Sequence, residues 1–310
     1  MKRIFISEGD PSGINYELIS KLEKQFRSYG KNNQIILVQS QNQVQPDFFQ
    51  PVQETQIPDK PGLFMLCQPL PDQVSIKPGA PSAFSGKVSY QSFTQAIKLQ
   101  KQFGGDLVTL PLSKEWIMRS GVRVFSGHTE TLAKLYRKDT FMLMAGKRLN
   151  VIPLTTHVPL ARVKNSLAKV KIKKLVASVL NYFGKDVNIG LLGLNPHAGE
   201  GGKIGREELE ILETFRKEFI RSGLEISKPL PADSAFIGDS WKKYSLFLSC
   251  YHDQGLIPFK MIEDKNGINV TLGLDFIRVS PDHGPAYEIA GKGIADPGSL
   301  LQCLKVVCGK

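Results

Sequence analysis

Short apolar runs alternate along the chain with longer amphipathic stretches, and this alternation is the feature that most limits the possible folds. The apolar runs have the length of buried strands, and the amphipathic stretches have the spacing of helices that cover one face of a sheet. Strands that alternate with helices predict an α/β fold with a mostly parallel sheet, in which ligands bind at the carboxyl ends of the strands.

The runs and stretches can be assigned one by one. Strands are predicted for RIFIS (3–7), QIILVQ (34–39), LFMLC (63–67), DLVTLPL (106–112), FMLMA and LNVIPLT (141–155), NIGLLGL (188–194), YSLFLSC (244–250) and INVTLGL (268–274). Helices are predicted for residues 16–29, 90–103, 160–183, 206–222 and 299–307. Residues 40–82 are rich in Gln and Pro, which predicts long connections or short edge strands there.

The composition limits the size of the core and the kind of partner. The chain has 310 residues, 41% of them hydrophobic, which is enough for one large domain or two ordinary ones. The formal net charge is +11, but the lysines are spread along the chain, and the densest stretch, AKVKIKK (168–174), has no interleaved aromatic residues. We interpret that stretch as the solvated face of a helix. An anionic small molecule, and not nucleic acid, is therefore the expected partner of the positive charge.

The cysteines and the N-terminal residues indicate a cytoplasmic protein. Four scattered cysteines form no CxxC pair, which argues against a zinc knuckle or a disulfide framework. They are Cys67, Cys250, Cys303 and Cys308. Residues 1–7 begin basic and turn apolar, but Glu8 ends that run before it reaches the length of a signal-peptide core. Since no stretch approaches the roughly 18 apolar residues of a membrane span, no membrane partner is expected.

Each of the five histidines lies in a polar cluster that is typical of a turn. Three of them follow predicted strands: His157 after VIPLTT, His197 after LLGLNP and His252 after LFLSCY. Because parallel strands end at one edge of a sheet, three imidazoles there could bind a divalent transition metal with one position open for substrate. A single histidine at a strand end is more often a hydrogen-bonded structural residue. The joint pattern favours a metal site, since none of the five falls within a predicted helix.

Three further patterns are less specific. His197 and Glu200 form an HxxE pair, but Pro196 and Gly199 place it in a loop rather than on the helix of a zinc hydrolase. The turn EGDPSGIN (8–15) follows a strand and opens a helix, where a phosphate or dinucleotide can bind. HGPAYEIAGKGIADP (283–297) is a second glycine-rich loop. Either loop can also be a connector that needs glycine for its backbone conformation.

Seven blocks of the sequence, taken in order, resemble the 4-hydroxythreonine-4-phosphate dehydrogenase family of vitamin B6 biosynthesis. They are GDPSGI, SGHTE, LTTHVPL, LNPHAGEGGKIGREE, PLPADSAF, YHDQGLIPFK and GINVTLGLDFIRVSPDHGPAYEIAGKG, between residues 9 and 293. The blocks GD…GI and HG…IAGKGIADP also resemble the wider isocitrate and isopropylmalate dehydrogenases. The resemblance implies their two-domain α/β/α fold, with the active site in the interdomain cleft at a dimer interface. It implies a discontinuous NAD-associated domain (1–112 plus 255–310) and a metal, substrate and dimerisation domain (113–254).

The resemblance also implies roles for individual residues. The metal ligands would be His157, His197 and His252, in a site shared by the two subunits of a homodimer. The substrate would be bound by His128, Thr129, Lys260, Asn269 and Arg278. The catalytic groups would be Asp233, Asp253 and Lys260. The cofactor would contact Gly13, His283, Gly284, Ala286 and Gly291.

The chemistry implied is an oxidation with decarboxylation of 4-phosphohydroxy-L-threonine to 3-amino-2-oxopropyl phosphate. It would use NAD, or NADP, and a zinc, magnesium or cobalt ion. The chain departs from the family at GINYE (13–17), TLPLSK (109–114), Leu274-Asp275 and Pro285, where the family usually has GIGPE, TGPINK, Leu-Pro and Thr. Most of these departures lie in the expected cofactor loops or beside Arg278. Two alternatives therefore stay open: a dehydrogenase of four-carbon sugar-acid phosphates such as threonate or erythronate 4-phosphate, and a catalytically silent metal- or phosphate-binding homologue.

Overall fold

The structure, a computed structural model, describes residues 1–40, 46–69 and 76–309. Its strands are β1 (Arg3–Ser7), β2 (Gln34–Ser40), β3 (Gln50–Val52), β4 (Gly62–Gln68), β5 (Asp106–Thr109), β6 (Phe141–Ala145), β7 (Asn150–Pro153), β8 (Asn188–Leu191), β9 (Glu225–Ile226), β10 (Leu246–Ser249), β11 (Ile268–Leu272) and β12 (Arg278–Pro281). Its α-helices are α1 (Asn15–Lys21), α2 (Glu23–Gly30), α3 (Ala83–Phe103), α4 (Lys114–Arg119), α5 (His128–Tyr136), α6 (Val163–Leu167), α7 (Ile172–Phe183), α8 (Glu213–Arg221), α9 (His252–Glu263) and α10 (Gly298–Cys308). In this part of the chain no helix has the length and apolar character needed to cross a membrane.

The chain divides into two compact units. Unit 1 comprises Met1–Leu135 and Asp275–Lys310, and unit 2 comprises Tyr136–Leu274. The domains expected from the resemblance have earlier bounds, at residues 112 and 254. Packing accounts for the difference, because α4 packs against α3 within unit 1, while α9 packs against β7 and β10 within unit 2.

Unit 1 is built on a fully parallel sheet. Its strand order is β3-β4-β2-β1-β5-β12, and every neighbouring pair is parallel. All seven residues of β2 are buried, as expected for a central strand of a parallel sheet whose two faces are covered. The short strand β3 at the edge confirms the expectation of edge strands within residues 40–82, of which 41–45 and 70–75 lie outside the described residues.

Unit 2 is built on a mixed sheet in the order β11-β6-β7-β10-β8-β9. The β11–β6 and β6–β7 pairs are antiparallel, and the remaining pairs are parallel. The turn between β6 and β7 is held by the buried carboxylate of Glu263, which accepts from the backbone N–H groups of Lys147, Arg148 and Leu149. The predicted α/β fold class and the predicted adjacency of β6 and β7 are both confirmed.

Three predicted helices are interrupted. The helix predicted for residues 160–183 is wrong as a single element, because the chain leaves helical geometry between α6 and α7. On one continuous helix the buried Val163 and Val179 would point about 160° apart, so the break allows both to face the core. The stretch 16–29 is divided at Leu22, and the stretch 206–222 begins with a wider π-helical turn at Glu208–Leu212.

Candidate active site

Two of the three strand-end histidines lie close together in unit 2. β7 and β10 are neighbouring parallel strands whose last residues, Pro153 and Ser249, are paired, so the chain leaves both strands at the same edge. The ring centroids of His157 and His252 are 5.8 Å apart. The local fold thus brings together side chains that are 95 residues apart in the sequence, by subtraction of their numbers.

Both rings line a cavity of about 300 Å³. The carboxylate of Asp253 also lies in its wall, with Oδ1 2.7 Å from Nδ1 of His252. A carboxylate that accepts the Nδ1 proton fixes the imidazole tautomer and leaves Nε2 as the nitrogen able to bind a metal. The other residues of the wall are Thr156, Val158, Leu160, Val163 and Tyr251. The cavity therefore combines two imidazoles and one carboxylate with apolar walls.

The expectation that no histidine belongs to a helix is wrong. His252 is the first residue of α9, and His128 is the first residue of α5. α9 contains Gly255 and Pro258, two residue types that are disfavoured inside helices. The glycine is required by packing, since a Cβ at this position would lie 2.5 Å from Ser249 Oγ. The helix can lie against the strand ends only because residue 255 has no side chain.

His197 follows β8, which borders β10 on the side away from β7. From His197 to Gly202 every residue has a positive φ, between 44° and 96°, so the chain forms a short left-handed coil that its glycines favour. Among the described residues, no three His, Cys, Asp or Glu side chains lie close enough to hold one metal ion. Within a single chain, His197 therefore does not join the other two histidines.

Unit 1 holds a buried cationic group. Arg278, the first residue of β12, is 1% exposed and donates a hydrogen bond to the Thr109 hydroxyl. Burial lowers the pKa of its guanidinium to about 10, which leaves it charged at neutral pH. Burial and the Arg278 charge hold the pKa of His128 well below its usual value, so that imidazole is neutral. Its Nε2 is buried and has no hydrogen-bond partner among the described residues. Thr129 follows His128 in the first turn of α5.

The other expected substrate and catalytic residues lie in unit 2. Asn269 is in β11, and its Oδ1 is buried without a hydrogen-bond partner in the described part of the chain. Lys260 is exposed and lies on α9, two turns after His252. Asp233 is exposed in the turn that follows Pro231. None of these positions by itself tests the role that the resemblance implies.

The expected cofactor residues lie in loops of unit 1 that touch one another. Gly13 packs against Pro285, whose carbonyl accepts from the backbone N–H of Ile14. Pro285 has no backbone N–H to donate, but its carbonyl is the acceptor in this contact. Ala286 adopts a left-handed conformation with φ of 50°, and a Cβ at Gly291 would lie 3.0 Å from Pro78.

His283 and Gly284 complete this set of loops. His283 Nδ1 lies 3.0 Å from the Gly284 carbonyl, so Nδ1 carries the proton that it donates. The other ring nitrogen, Nε2, is buried and has no partner among the described residues. It is therefore an acceptor that a ligand's N–H group could satisfy.

Sequence reasoning missed the buried acidic residues behind these loops. Asp10 is fully buried and accepts from the backbone N–H of Ser12 at 2.9 Å and from the Tyr287 hydroxyl at 2.8 Å. It thereby ties the turn after β1 to the loop that contains Ala286. Burial raises the pKa of Asp10 and, to about 8, that of its neighbour Glu8. The only available signal was the position of both acids in the turn that follows a buried strand.

Comparison of the fold with solved structures gives the structural class of the protein. The chain is similar in structure to a β-decarboxylating dehydrogenase from Thermococcus kodakarensis, with a TM-score of 0.51, 14% identity, and coverage of 99% of this chain and 82% of that chain. At this identity the similarity concerns the fold alone, and it places the protein among α/β chains that fold like these dehydrogenases.

The sequence then identifies the family. Residues 12–307 match the family described as pyridoxal phosphate biosynthetic protein PdxA, and the chain belongs to this family. It is 37% identical to a 4-hydroxythreonine-4-phosphate dehydrogenase from Sulfurihydrogenibium sp. over 99% of this chain and 97% of the relative. It is 32% identical to a D-threonate 4-phosphate dehydrogenase from Pectobacterium atrosepticum over 96% of each. A crystal structure of the 4-hydroxythreonine-4-phosphate dehydrogenase from Klebsiella pneumoniae matches with a TM-score of 0.81 and 28% identity, over 99% of this chain and 97% of that chain.

These comparisons confirm the resemblance stated for the sequence and, at the level of the family, the prediction of an oxidoreductase of vitamin B6 biosynthesis. The roles of the individual histidines, acids and loop residues remain predictions. What the structure adds is their placement within each unit.

Proposed function

We propose that this chain is a 4-hydroxythreonine-4-phosphate dehydrogenase that oxidises 4-phosphohydroxy-L-threonine in the synthesis of pyridoxal 5'-phosphate. The observation that carries the proposal is the histidine pair. This chain belongs to the PdxA family, and its His157 and His252 follow neighbouring strands. Their ring centroids lie 5.8 Å apart, beside the carboxylate of Asp253. The names of the relatives point to the same reaction.

The histidine pair fits a divalent cation. A metal about 2.1 Å from a histidine nitrogen lies about 3.2 Å from the ring centroid, so two rings on one ion have centroids at most about 6.4 Å apart. The observed 5.8 Å falls within this limit. Imidazole nitrogens favour zinc or cobalt, whereas magnesium prefers oxygen ligands. We therefore propose zinc, cobalt or magnesium, in that order.

A third ligand, His197, is proposed to come from a second copy of the chain. Large apolar side chains are exposed beside each of the three histidines, and Met261 on α9 is 80% exposed. The others are Leu160, Ile204, Leu209 and Ile257. Exposed apolar groups around a polar site are typical of a surface that another protein covers. This supports the predicted homodimer with an active site at its interface; placement in the interdomain cleft likewise remains a prediction.

The chain's own groups would handle the proton and the anionic substrate. A bound cation would polarise the secondary hydroxyl of the substrate, and NAD or NADP would accept the hydride. Asp253, Asp233 or Lys260 would accept the hydroxyl proton as the hydride leaves carbon. The product of this step is a β-keto acid, in which the bond to the carboxylate breaks to release carbon dioxide. The electron pair left on carbon forms an enolate, and uptake of a proton at that carbon gives 3-amino-2-oxopropyl phosphate.

Buried polar atoms support binding of a polar ligand by each unit. Nε2 of His128 and Oδ1 of Asn269 lie buried without a partner among the described residues, whereas buried polar atoms are normally paired. In unit 1, His128, Thr129 and Arg278 are proposed to bind a phosphorylated ligand, for which charge-assisted hydrogen bonds are strongest. In unit 2, Asn269 and Lys260 are the proposed substrate-binding residues. In unit 1, Nε2 of His283 would bind the dinucleotide with the loops that contain Gly13, Gly284, Ala286 and Gly291.

An alternative keeps the chemistry and changes the substrate. The 32% identity to a D-threonate 4-phosphate dehydrogenase over 96% of both chains favours a four-carbon sugar-acid phosphate as that second candidate. The proposed substrate-binding residues would stay the same, because such a substrate shares the secondary hydroxyl and the phosphate.

A substrate screen separates these functions. Purified protein is incubated with zinc, cobalt or magnesium, with NAD or NADP, and with either 4-phosphohydroxythreonine or a sugar-acid phosphate, and NAD(P)H absorbance is recorded. Metal-dependent reduction of the cofactor by 4-phosphohydroxythreonine supports the proposal. Reduction only with the sugar-acid phosphate would replace the substrate. Metal binding without turnover of any substrate would identify a catalytically silent homologue.

A further inference from the structure

The strand ends that lead to the histidines are tied together by side chains. Cys250, directly after β10, is fully buried, and its carbonyl accepts from the Thr155 hydroxyl at 2.8 Å. Its thiol lies 3.3 Å from the carbonyl of Leu192, directly after β8. Thr155 precedes His157 by two residues, and Cys250 precedes His252 by two. One buried residue thus joins the ends of β7, β8 and β10.

Gln254 makes a further tie, and it connects these strand ends to α9. Its Oε1 accepts from the backbone N–H of Cys250 at 2.7 Å, and its Nε2 donates to the carbonyl of Gly193 at 2.7 Å. The side chain lies in the first turn of α9, two residues after His252. Gly193 lies four residues before His197.

The glutamine carboxamide takes the place of a peptide group between two strands. The ladder between β10 and β8 ends with the hydrogen bond from Leu192 N–H to the Leu248 carbonyl. Beyond that point the strands separate, and the Cys250 N–H and the Gly193 carbonyl would both be left without a ladder partner. A carboxamide supplies one acceptor and one donor with the spacing of a backbone amide. An apolar side chain of the same size would leave two backbone groups unsatisfied.

We propose that Gln254 is a positioning residue for the metal site, a role that rests on the proposed function. By fixing the first turn of α9 to the ends of β8 and β10, it sets where His252 stands relative to His157 and to the strand that leads to His197. Groups that orient metal ligands without touching the metal typically change metal affinity by 10–100-fold when they are removed.

The test compares three variants in a titration of metal-free protein with Co²⁺ alone. Gln254→Leu keeps the size of the side chain and removes both hydrogen bonds. Gln254→Glu keeps the acceptor for the Cys250 N–H and loses the donor to Gly193. The control is Gln100→Leu in unit 1, where a buried glutamine donates to the Gly105 carbonyl at 3.0 Å. Visible absorption of the bound Co²⁺ reports both affinity and ligand geometry, and circular dichroism with thermal unfolding reports the fold.

We expect Gln254→Leu to bind Co²⁺ at least about tenfold more weakly, with a changed visible spectrum, while Gln100→Leu matches the wild type. The Co²⁺ affinity of Gln254→Glu should lie between that of Gln254→Leu and that of the wild type. A residue that only stabilised the fold would lower the unfolding temperature without changing the Kd of the folded protein. If Gln254→Leu does not fold, the comparison of folded Gln254→Glu with the wild type decides in the same way.

Wild-type Co²⁺ affinity and spectrum in a folded Gln254 variant would overturn the inference and leave the proposed function standing. A wild-type protein that binds none of Co²⁺, Zn²⁺ and Mg²⁺ would overturn both. The two failures are therefore distinguishable in one experiment.

Discussion

A buried glutamate holds a strand-end turn in each unit, and the two glutamates use different donors. In unit 1, Glu8 accepts from the backbone N–H of Ser40 at 2.9 Å and from the Ser40 hydroxyl at 3.2 Å. In unit 2, Glu208 accepts from the backbone N–H groups of Leu194 and Asn195 at 2.9 and 2.8 Å, and from the Asn195 side-chain amide at 3.0 Å. Burial raises the pKa of Glu8 to about 8.

This difference distinguishes the turn before the expected cofactor loops of unit 1 from the turns before the histidines of unit 2. The turn that leads to the expected cofactor loops is held by a carboxyl group that changes its charge near physiological pH. The turns that lead to the histidines are held by Glu208 and Glu263, which accept from five backbone N–H groups, and by the neutral carboxamide of Gln254. We therefore expect pH to act on unit 1 through Glu8, and substitutions in unit 2 to act through lost hydrogen bonds.

The largest effect should come from the histidine pair of unit 2. His252→Ala removes a proposed metal ligand, so Co²⁺ affinity should fall by more than the roughly 100-fold that loss of an orienting group can cause. His283→Ala in unit 1, which removes a proposed cofactor contact, is the matched control and should bind Co²⁺ like the wild type. Isothermal titration calorimetry of both proteins measures the difference. Equal Co²⁺ affinity in the two variants would remove the metal site from unit 2.

Glu208→Ala should give the next largest effect. It leaves two partly buried backbone N–H groups without their acceptor and removes one of the two carboxylates that accept from the Asn195 side-chain amide, which should lower the free energy of unfolding by about 3 kcal/mol. Glu208→Gln keeps one oxygen acceptor and should lower it by about 1 kcal/mol. Urea denaturation at one pH measures both. Equal destabilisation by the two variants would show that the bonds to the turn do not account for the stability.

The pair of histidines could be predicted from the sequence, whereas the contacts that surround the pair could not. His157 and His252 could be recognised because each follows an apolar run, and the carboxyl ends of neighbouring parallel strands meet. The helix that starts at His252 was missed because Gly255 and Pro258 are typical of loops, and only the three-dimensional contact with Ser249 explains the glycine. The roles of Gln254 and Glu208 depend on backbone groups that are distant in sequence, and no local pattern specifies those partners.

Other features depend on packing that a linear pattern does not contain. The break before α7 follows from the need to bury both Val163 and Val179, which a periodicity read over a short window does not reveal. The raised pKa of Glu8 follows from complete burial, although its place after β1 suggested only the end of an apolar run. The fold class and the strand ends could therefore be predicted, whereas the supporting contacts could not.

Glu8→Gln should remove a pH dependence of stability. A carboxyl whose pKa is raised from 4.5 to about 8 on folding contributes stability below pH 4.5 that is lost as pH rises towards 8. Between pH 6 and pH 9 the wild type should lose on the order of 2 kcal/mol that Glu8→Gln keeps. Urea denaturation at both pH values measures the loss.

The control for this experiment is Glu54→Gln. The pKa of Glu54 is lowered by its hydrogen bond to Lys98, so this carboxyl is ionised across the same range. Its removal should change stability equally at pH 6 and pH 9. A parallel loss in the wild type and in Glu8→Gln would contradict the assignment of the pH effect to Glu8.

Tyr287→Phe should give the smallest effect and should sharpen the contrast within unit 1. It removes the hydroxyl that donates to Asp10 at 2.8 Å, and with it the tie between the turn after β1 and the loop that contains Ala286. Loss of one such bond, about 1 kcal/mol, should raise the KM for the dinucleotide about fivefold and leave kcat and Co²⁺ affinity unchanged. Steady-state kinetics with varied cofactor measures this. If kcat fell while the KM for the dinucleotide stayed constant, the Asp10–Tyr287 contact would act on the reaction and not on the cofactor loops, because a bond that only positions the loops changes binding and leaves the chemical step alone.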